Sequence, residues 1–84
     1  MKIIFRKRFE KSLKKLPQQV RERLYERLRV FKNNPFERIL NNHSVDKAFP
    51  NCRSINITGD YRAIYLEEGN MMTFIDIGTH SELY

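Results

Sequence analysis

Residues 52–84 read "CRSINITGDYRAIYLEEGNMMTFIDIGTHSELY", and apolar side chains alternate with polar ones along most of this region. Alternation with a period of two is typical of β-strands that bury one face. The alternation is interrupted by "TGD" at 58–60 and by "EGN" at 68–70, which are compositions that favour tight turns. The pattern therefore predicts three consecutive antiparallel strands, formed by "CRSINI", "YRAIYLEE" and "MMTFIDI".

The residues before this region show two helical patterns. Apolar residues recur every three or four positions and would form one stripe on each helix: Phe9, Leu13 and Leu16 on the first, and Val20, Leu24, Leu28 and Phe31 on the second. Pro17 lies between the patterns and suits the first turn of a helix, where its missing N–H needs no partner. The "NNP" at 33–35 should end the second helix. Two antiparallel helices joined by a tight corner are expected.

The segment "KIIFR" at 2–6 is rich enough in β-branched and aromatic residues to predict a first strand. The expected fold class is α+β, in which an N-terminal strand and two antiparallel helices pack on one face of a mainly antiparallel sheet of three to four strands. Residues 36–51 would connect helices to sheet, and the other sheet face would be free to form a site. A chain of 84 residues has room for a single domain, spanning 1–84.

The charge is strongly basic and unevenly distributed. The net charge is +6, but residues 1–40 carry 13 basic and 4 acidic side chains, whereas residues 41–84 carry 3 basic and 6 acidic ones. Such a surface suits a polyanion or an acidic protein partner. Lys14, Lys15 and Arg21 on the helices are candidate RNA contacts. The equally plausible alternative is a solvated helix whose basic side chains cover the edge of the core.

Several classes of protein are disfavoured by the composition. Two histidines and one cysteine do not approach a zinc-ligand set, and no glycine-rich phosphate loop or serine elbow is present, so no cofactor is expected. Cys52 reads as a small buried apolar residue. The only apolar run near the start, Ile3–Phe5, is too short for a signal peptide or a membrane span. The sequence predicts a soluble cytoplasmic protein without membrane contact.

A set of polar residues at predicted strand ends could instead cleave RNA through its own 2′-hydroxyl. That reaction needs a base for the hydroxyl proton, a cation beside the phosphate, and an acid for the leaving oxygen. Histidine can transfer protons near neutral pH, and arginine binds phosphate through parallel donors. The candidates are His43, Arg53, Asn56, Asp60, Arg62, His80 and Tyr84.

Spacing alone leaves simpler interpretations open for these residues. His80 could be an ordinary surface histidine, and the Tyr84 ring could pack against the sheet edge. Asp60 could serve only the turn, and His43 could lie in a solvated loop. Arg62 is flanked by residues of a buried strand, so its charge has to reach either solvent or a partner.

Residues 52–84 resemble the C-terminal half of RelE/ParE-superfamily toxins, the toxin components of bacterial type II toxin–antitoxin modules. The segments "GDYRAIY" at 59–65 and "GTHSELY" at 78–84 carry most of the resemblance, and the second is most similar to the YafQ-like branch. The segment "KRFEKSLKKLPQQVRERLYERL" at 7–28 is similar in character to the two basic helices of that superfamily.

The resemblance implies a toxin that cleaves mRNA in the ribosomal A site, requires no cofactor, and is neutralised by a cognate acidic antitoxin protein. It assigns a general acid or base to His80, a substrate contact to Tyr84 and a phosphate contact to Arg62. Asp60 and His43 match further family positions, while Arg53 and Asn56 would contact RNA beside them.

Two positions depart from the family pattern: Asn56 and Asp76 stand where relatives often carry basic residues. Two alternatives to a ribosome-dependent endoribonuclease therefore remain. The chain could be a ParE-like inhibitor that binds gyrase without any catalytic step, or a degenerate toxin that only binds its antitoxin. The ending "GTHSELY" favours RNA chemistry, because binding gyrase would not require it.

Overall fold

The computed structural model describes all residues from Met1 to Tyr84. The elements follow one another in the order β1 (Lys2–Phe5), α1 (Lys7–Lys14), α2 (Gln18–Asn33), a 3-10 turn (Arg38–Leu40), β2 (His43–Ser44), β3 (Cys52–Asn56), β4 (Tyr61–Glu68), β5 (Met71–Thr79) and α3 (His80–Leu83). The α+β class, the helix pair and the three-stranded meander are confirmed. None of the helices is both long and apolar enough to cross a bilayer.

The sheet contains five strands in the order β1-β5-β4-β3-β2, rather than the three to four expected. β1 pairs in parallel with β5, and the other neighbours are antiparallel. The additional strand is β2, in which His43 and Ser44 pair with Ser54 and Arg53. Both residues of β2 are exposed, so this strand leaves no alternating pattern in the sequence.

The hydrophobic core lies between the helices and one face of the sheet. The apolar stripes of both helices are buried against residues of β3, β4 and β5. An aromatic cluster forms its centre, with the Phe74 ring 5.8 Å from Phe9, 5.4 Å from Phe31 and 5.3 Å from Tyr65. Phe5 extends the cluster to β1, at 5.8 Å from the same ring. Phe74 therefore contacts aromatic rings from both helices and from β1 and β4 at the centre of the core.

A β-bulge in β5 changes which residues face the helices. Ile64 lies opposite Asp76 and Tyr65 lies opposite Phe74, so Ile75 is the extra residue. Beyond the bulge, Asp76 accepts a hydrogen bond from the Ser12 hydroxyl at 3.2 Å. It also forms an ion pair with Arg8 at 3.0 Å. Asp76 thus attaches α1 to β5, which gives a structural reason for an acidic residue at this position.

The sheet face opposite the helices is not free at its centre, contrary to the expectation from the sequence. Ser54 and Ile64 are cross-strand partners, and both are fully buried. Phe49, in the segment after β2, makes an edge-to-face contact with Tyr84 at 5.9 Å. The connecting segment and the residues after β5 therefore come together, and they leave only the strand ends for a site.

Candidate functional site

The candidate site lies where β5 ends and α3 begins. Asn56, Arg62 and Gly78 are cross-strand neighbours on β3, β4 and β5, so their side-chain positions share one face of the sheet. His80 follows two residues after Gly78, and its backbone N–H donates to the Asp60 carbonyl at 3.3 Å. The register thus places the β3–β4 turn, Arg62 and His80 at the same end of the sheet.

A capping box fixes the start of α3. The Glu82 N–H donates to the Thr79 hydroxyl at 3.3 Å, and the Thr79 N–H donates to the Glu82 carboxylate at 2.8 Å. These hydrogen bonds from Thr79 lower the pKa of Glu82. His80 is therefore the first helical residue of a capped turn rather than part of a loose tail.

The His80 and Tyr84 side chains lie on the same side of this short helix. Their ring centroids are 4.8 Å apart with an interplanar angle of 43°. The Tyr84 N–H donates to the His80 carbonyl at 3.0 Å. Tyr84 is still 45% exposed, so part of its ring remains accessible while Phe49 packs against it. Packing and substrate contact are thus compatible for this tyrosine.

Hydrogen bonds to nearby backbone carbonyls hold the Arg62 side chain at the start of β4. One guanidinium nitrogen, Nη1, donates to the Thr58 carbonyl at 2.9 Å and to the Tyr61 carbonyl at 3.1 Å. Nε and Nη2 have no protein partner, so they remain as donors for an anion. Beside it on β3, the buried Oδ1 of Asn56 also lacks a hydrogen-bond partner. The free nitrogens of Arg62 can therefore still donate hydrogen bonds to a ligand, whereas the Asn56 oxygen is enclosed by the protein.

Some of the predicted RNA contacts lie close to this end of the sheet. Lys15 lines a hollow of about 230 Å³ together with Gly78 and Glu82. Lys14 is exposed as the last residue of α1. Arg21 instead uses Nη1 to donate to the Leu16 carbonyl at 2.9 Å, which stabilises the corner between the helices. Of these three residues, Arg21 is therefore the one whose charged group is held by the fold.

Arg53 is not brought to the His80 end. It is three residues from Asn56 on β3, so the two side chains lie on opposite faces of the sheet. Its Nε donates to the Asn42 side chain at 2.7 Å, and its guanidinium lies over the Phe36 ring at 5.2 Å. The same Asn42 donates to the Tyr65 hydroxyl at 2.7 Å. Arg53 therefore holds the connecting segment against the sheet.

His43 is also separate from His80. It lies on β2, which β3 and β4 separate from β5. Its Nδ1 is 2.8 Å from the Asn41 carbonyl, and its ring is exposed. The geometry therefore provides no direct contact between the two histidines.

Three residues that shape the site were not among the residues predicted from the sequence. Thr79 and Glu82 form the capping box, and their T-x-x-E spacing is a known signal for a helix start. Phe49, which packs on Tyr84, gave no signal because it lies in an irregular segment. No group of three or more His, Cys, Asp or Glu side chains could hold a metal ion.

Comparisons with known proteins agree with this architecture. YafQ from E. coli strain BL21(DE3) superimposes with a TM-score of 0.82 at 20% identity, covering 98% of this chain and 96% of that one. In the E. coli DinJ–YafQ toxin–antitoxin complex the values are 0.80 and 19%, with 98% and 94% covered. In the RelB–RelE antitoxin–toxin complex from Methanococcus jannaschii they are 0.77 and 23%, with 96% and 94% covered.

These identities are low, so the superpositions establish the fold alone. No curated protein sequence matches the chain. The family model described as the bacterial toxin of the type II toxin–antitoxin system, YafQ, matches residues 1–84 and thus the whole sequence. The chain therefore belongs to the YafQ family of bacterial type II toxin–antitoxin toxins.

Proposed function

We propose that this toxin is a ribosome-dependent mRNA endoribonuclease that acts in the ribosomal A site. The observation that carries the proposal is the convergence of His80, Arg62 and Tyr84 at one end of the sheet. His80 begins a capped turn beside the β3–β4 turn, and Arg62 lies on the neighbouring strand with free guanidinium donors. These residue types match the needs of RNA cleavage by 2′-hydroxyl attack.

In the proposed reaction, the 2′-oxygen attacks the adjacent phosphorus and the bond to the 5′-oxygen breaks. One proton leaves the 2′-hydroxyl, and another reaches the departing 5′-oxygen. The products are a 2′,3′-cyclic phosphate and a 5′-hydroxyl. His80 performs one proton transfer, and Asp60, whose carbonyl is bonded to the His80 N–H, is the candidate for the other. The bonds and protons of this reaction balance without a cofactor.

The remaining residues bind the substrate in this proposal. Arg62 donates to the phosphate on which negative charge accumulates, and Tyr84 stacks on a base or hydrogen-bonds the sugar. Lys14 and Lys15 at the end of α1 contact the RNA backbone nearby. His43, Arg53 and Arg21 lie farther from the reacting group in this arrangement, and Asn56 can hydrogen-bond RNA beside Arg62.

Expression of the toxin without an antitoxin should arrest growth and produce new mRNA 5′ ends. Primer extension on mRNA from induced cells would map these ends. They should lie within translated regions and in register with the codons. Cleavage of the same mRNA should stop when ribosomes are removed. Stalled gyrase–DNA cleavage complexes with intact mRNA would instead select the ParE-like alternative. The absence of both growth arrest and mRNA cleavage would identify a degenerate toxin.

We also propose an acidic antitoxin as the partner. YafQ from E. coli and RelE from M. jannaschii each form complexes with an antitoxin. The present chain offers a basic first half and an open groove of about 440 Å³ between β1 and α2. The groove is lined by Ile3, Phe5, Tyr25, Leu28, Arg29 and Lys32. An amphipathic acidic segment would match both its apolar floor and its basic rim.

Affinity for this partner should fall as salt rises, because the basic rim would pair with acidic side chains. The probe is a purified acidic antitoxin of the YafQ or RelE type that neutralises this toxin when the two are expressed together. Calorimetric titrations from about 0.05 to 0.5 M NaCl should show a steadily increasing Kd. A Kd independent of salt would mean that apolar contacts alone hold the complex.

A further inference from the structure

We propose that Glu82 is a positioning residue for cleavage, which acts by holding the His80 backbone in a capped turn. The inference rests on the proposed function for the role of His80. It adds a residue that transfers no proton itself and was not among the candidates. Its basis is the set of contacts around residues 78–84.

The capping box is reciprocal, so Glu82 restrains both ends of the first turn. Its carboxylate accepts from the Thr79 N–H at 2.8 Å, and its own N–H donates to the Thr79 hydroxyl at 3.3 Å. His80 lies inside the ring that these two bonds close. The backbone direction of His80 is therefore determined by Glu82, although the two side chains need not touch.

Gly78 leaves room for the Glu82 carboxylate in this arrangement. A Cβ at this position would lie 3.3 Å from the Glu82 carboxylate oxygen and 3.4 Å from the Glu82 Cβ. The first distance is tight, so a larger residue would require the carboxylate to move by a few tenths of an ångström, whereas the second is an ordinary contact. Glu82 thus packs closely over Gly78.

α3 has little else to stabilise it. It spans only His80–Leu83, and none of its residues is buried. A helix this short is unstable alone, because nucleation costs more than a few hydrogen bonds return. The other restraints are the His80 N–H bond to Asp60 and the contacts of Tyr84. Loss of the cap should therefore let residues 80–84 fray and move the His80 ring.

The test compares Glu82→Ala with Glu82→Gln and Ser81→Ala. Glutamine can form the same capping box, whereas alanine cannot. Ser81 is an exposed residue of the same turn whose hydroxyl makes no hydrogen bond, so its replacement is the matched control. We expect Glu82→Ala to reduce the single-turnover cleavage rate about 5- to 30-fold. Glu82→Gln and Ser81→Ala should stay within about threefold of the parent.

A second readout is independent of activity. Heteronuclear ¹⁵N NOE values of residues 79–84 should fall in Glu82→Ala and stay high in Glu82→Gln. Because the pKa of Glu82 is lowered in the fold, its cap is present above the ordinary glutamate pKa. As pH falls through the lowered pKa, the charge contribution to the cap is lost, because a neutral carboxyl is a weaker acceptor than a carboxylate. The parent turn should therefore loosen in acid towards the level of Glu82→Gln, whose turn should not change with pH.

The outcomes separate this inference from the proposed function. A parent protein that cleaves no mRNA on ribosomes would overturn the nuclease assignment, whatever the NOE values show. An active parent with an equally active Glu82→Ala would overturn the positioning role. A Glu82→Gln variant as impaired as Glu82→Ala would also overturn it, because the carboxylate charge would then matter more than the cap.

Discussion

Replacing His80 with alanine should abolish growth arrest and reduce mRNA cleavage on ribosomes by about 10²- to 10⁴-fold, the usual range for losing a general acid or base. His80 is exposed and its ring packs on the exposed Tyr84, so the fold should remain. The measurement is the single-turnover rate on programmed ribosomes, together with the thermal unfolding midpoint. A variant that folds and remains fully toxic would remove His80 from the mechanism.

His43→Ala provides the comparison for this result. His43 lies on β2, separated from β5 by two strands, and its Nδ1 is 2.8 Å from the Asn41 carbonyl. Its removal should therefore cost less cleavage activity than the removal of His80. An equal loss in both variants would show that the two histidines act as one proton-transfer pair, which requires a rearrangement on the ribosome.

Binding to the acidic partner should survive the His80→Ala substitution. The groove proposed for that partner lies between β1 and α2, whereas His80 begins α3 at the end of β5. Equal affinities of parent and variant would show that loss of toxicity reflects chemistry rather than misfolding. The same measurement can be repeated for each of the site variants.

The three strands of the meander could be predicted from the sequence, because β-branched and aromatic residues lie between turns with the required chemistry. In the structure β4 and β5 each contain three consecutive buried residues, so these strands are buried on both faces at their centres. β2 could not be predicted, because its two exposed residues have no apolar pattern. The parallel pairing of β1 with β5 depends on the route of the helices, which local patterns do not determine.

Strand alternation also predicts the sheet face on which some of the candidate site residues lie. Parity along β3 separates Arg53 from Asn56, so strict use of the alternation would have placed them on different faces. The side of the sheet on which Asp76 lies could not be predicted in this way, because the bulge at Ile75 interrupts the alternation of β5. The bond of Asp76 to Ser12 joins residues 64 positions apart, which no local pattern encodes. The contact of Phe49 with Tyr84 is equally nonlocal.

Replacing Phe74 with alanine should have the second large effect. We expect it to lower the free energy of unfolding by about 3–5 kcal/mol. Its ring is fully buried and lies within 5.8 Å of four other aromatic rings: Phe5, Phe9, Phe31 and Tyr65. The truncation removes contacts to both helices and β1, and the surrounding rings cannot close the cavity completely. Urea titration followed by circular dichroism would measure the loss.

Phe36→Ala is the matched control, because the same change is made at a side chain that is 61% exposed. Its main contact is the Arg53 guanidinium, so the cost should stay below about 1 kcal/mol. Similar losses in both variants would contradict a core centred on Phe74.

Phe74 also lies six residues before His80 on the continuous chain of β5 and α3. A small domain has a stability of only about 5–15 kcal/mol, so this one substitution could remove most of it. Phe74→Ala should therefore lose toxicity by unfolding, whereas His80→Ala should lose it while folded. Lowering the temperature should restore activity to the first variant and not to the second, because only the first retains its proton-transfer group.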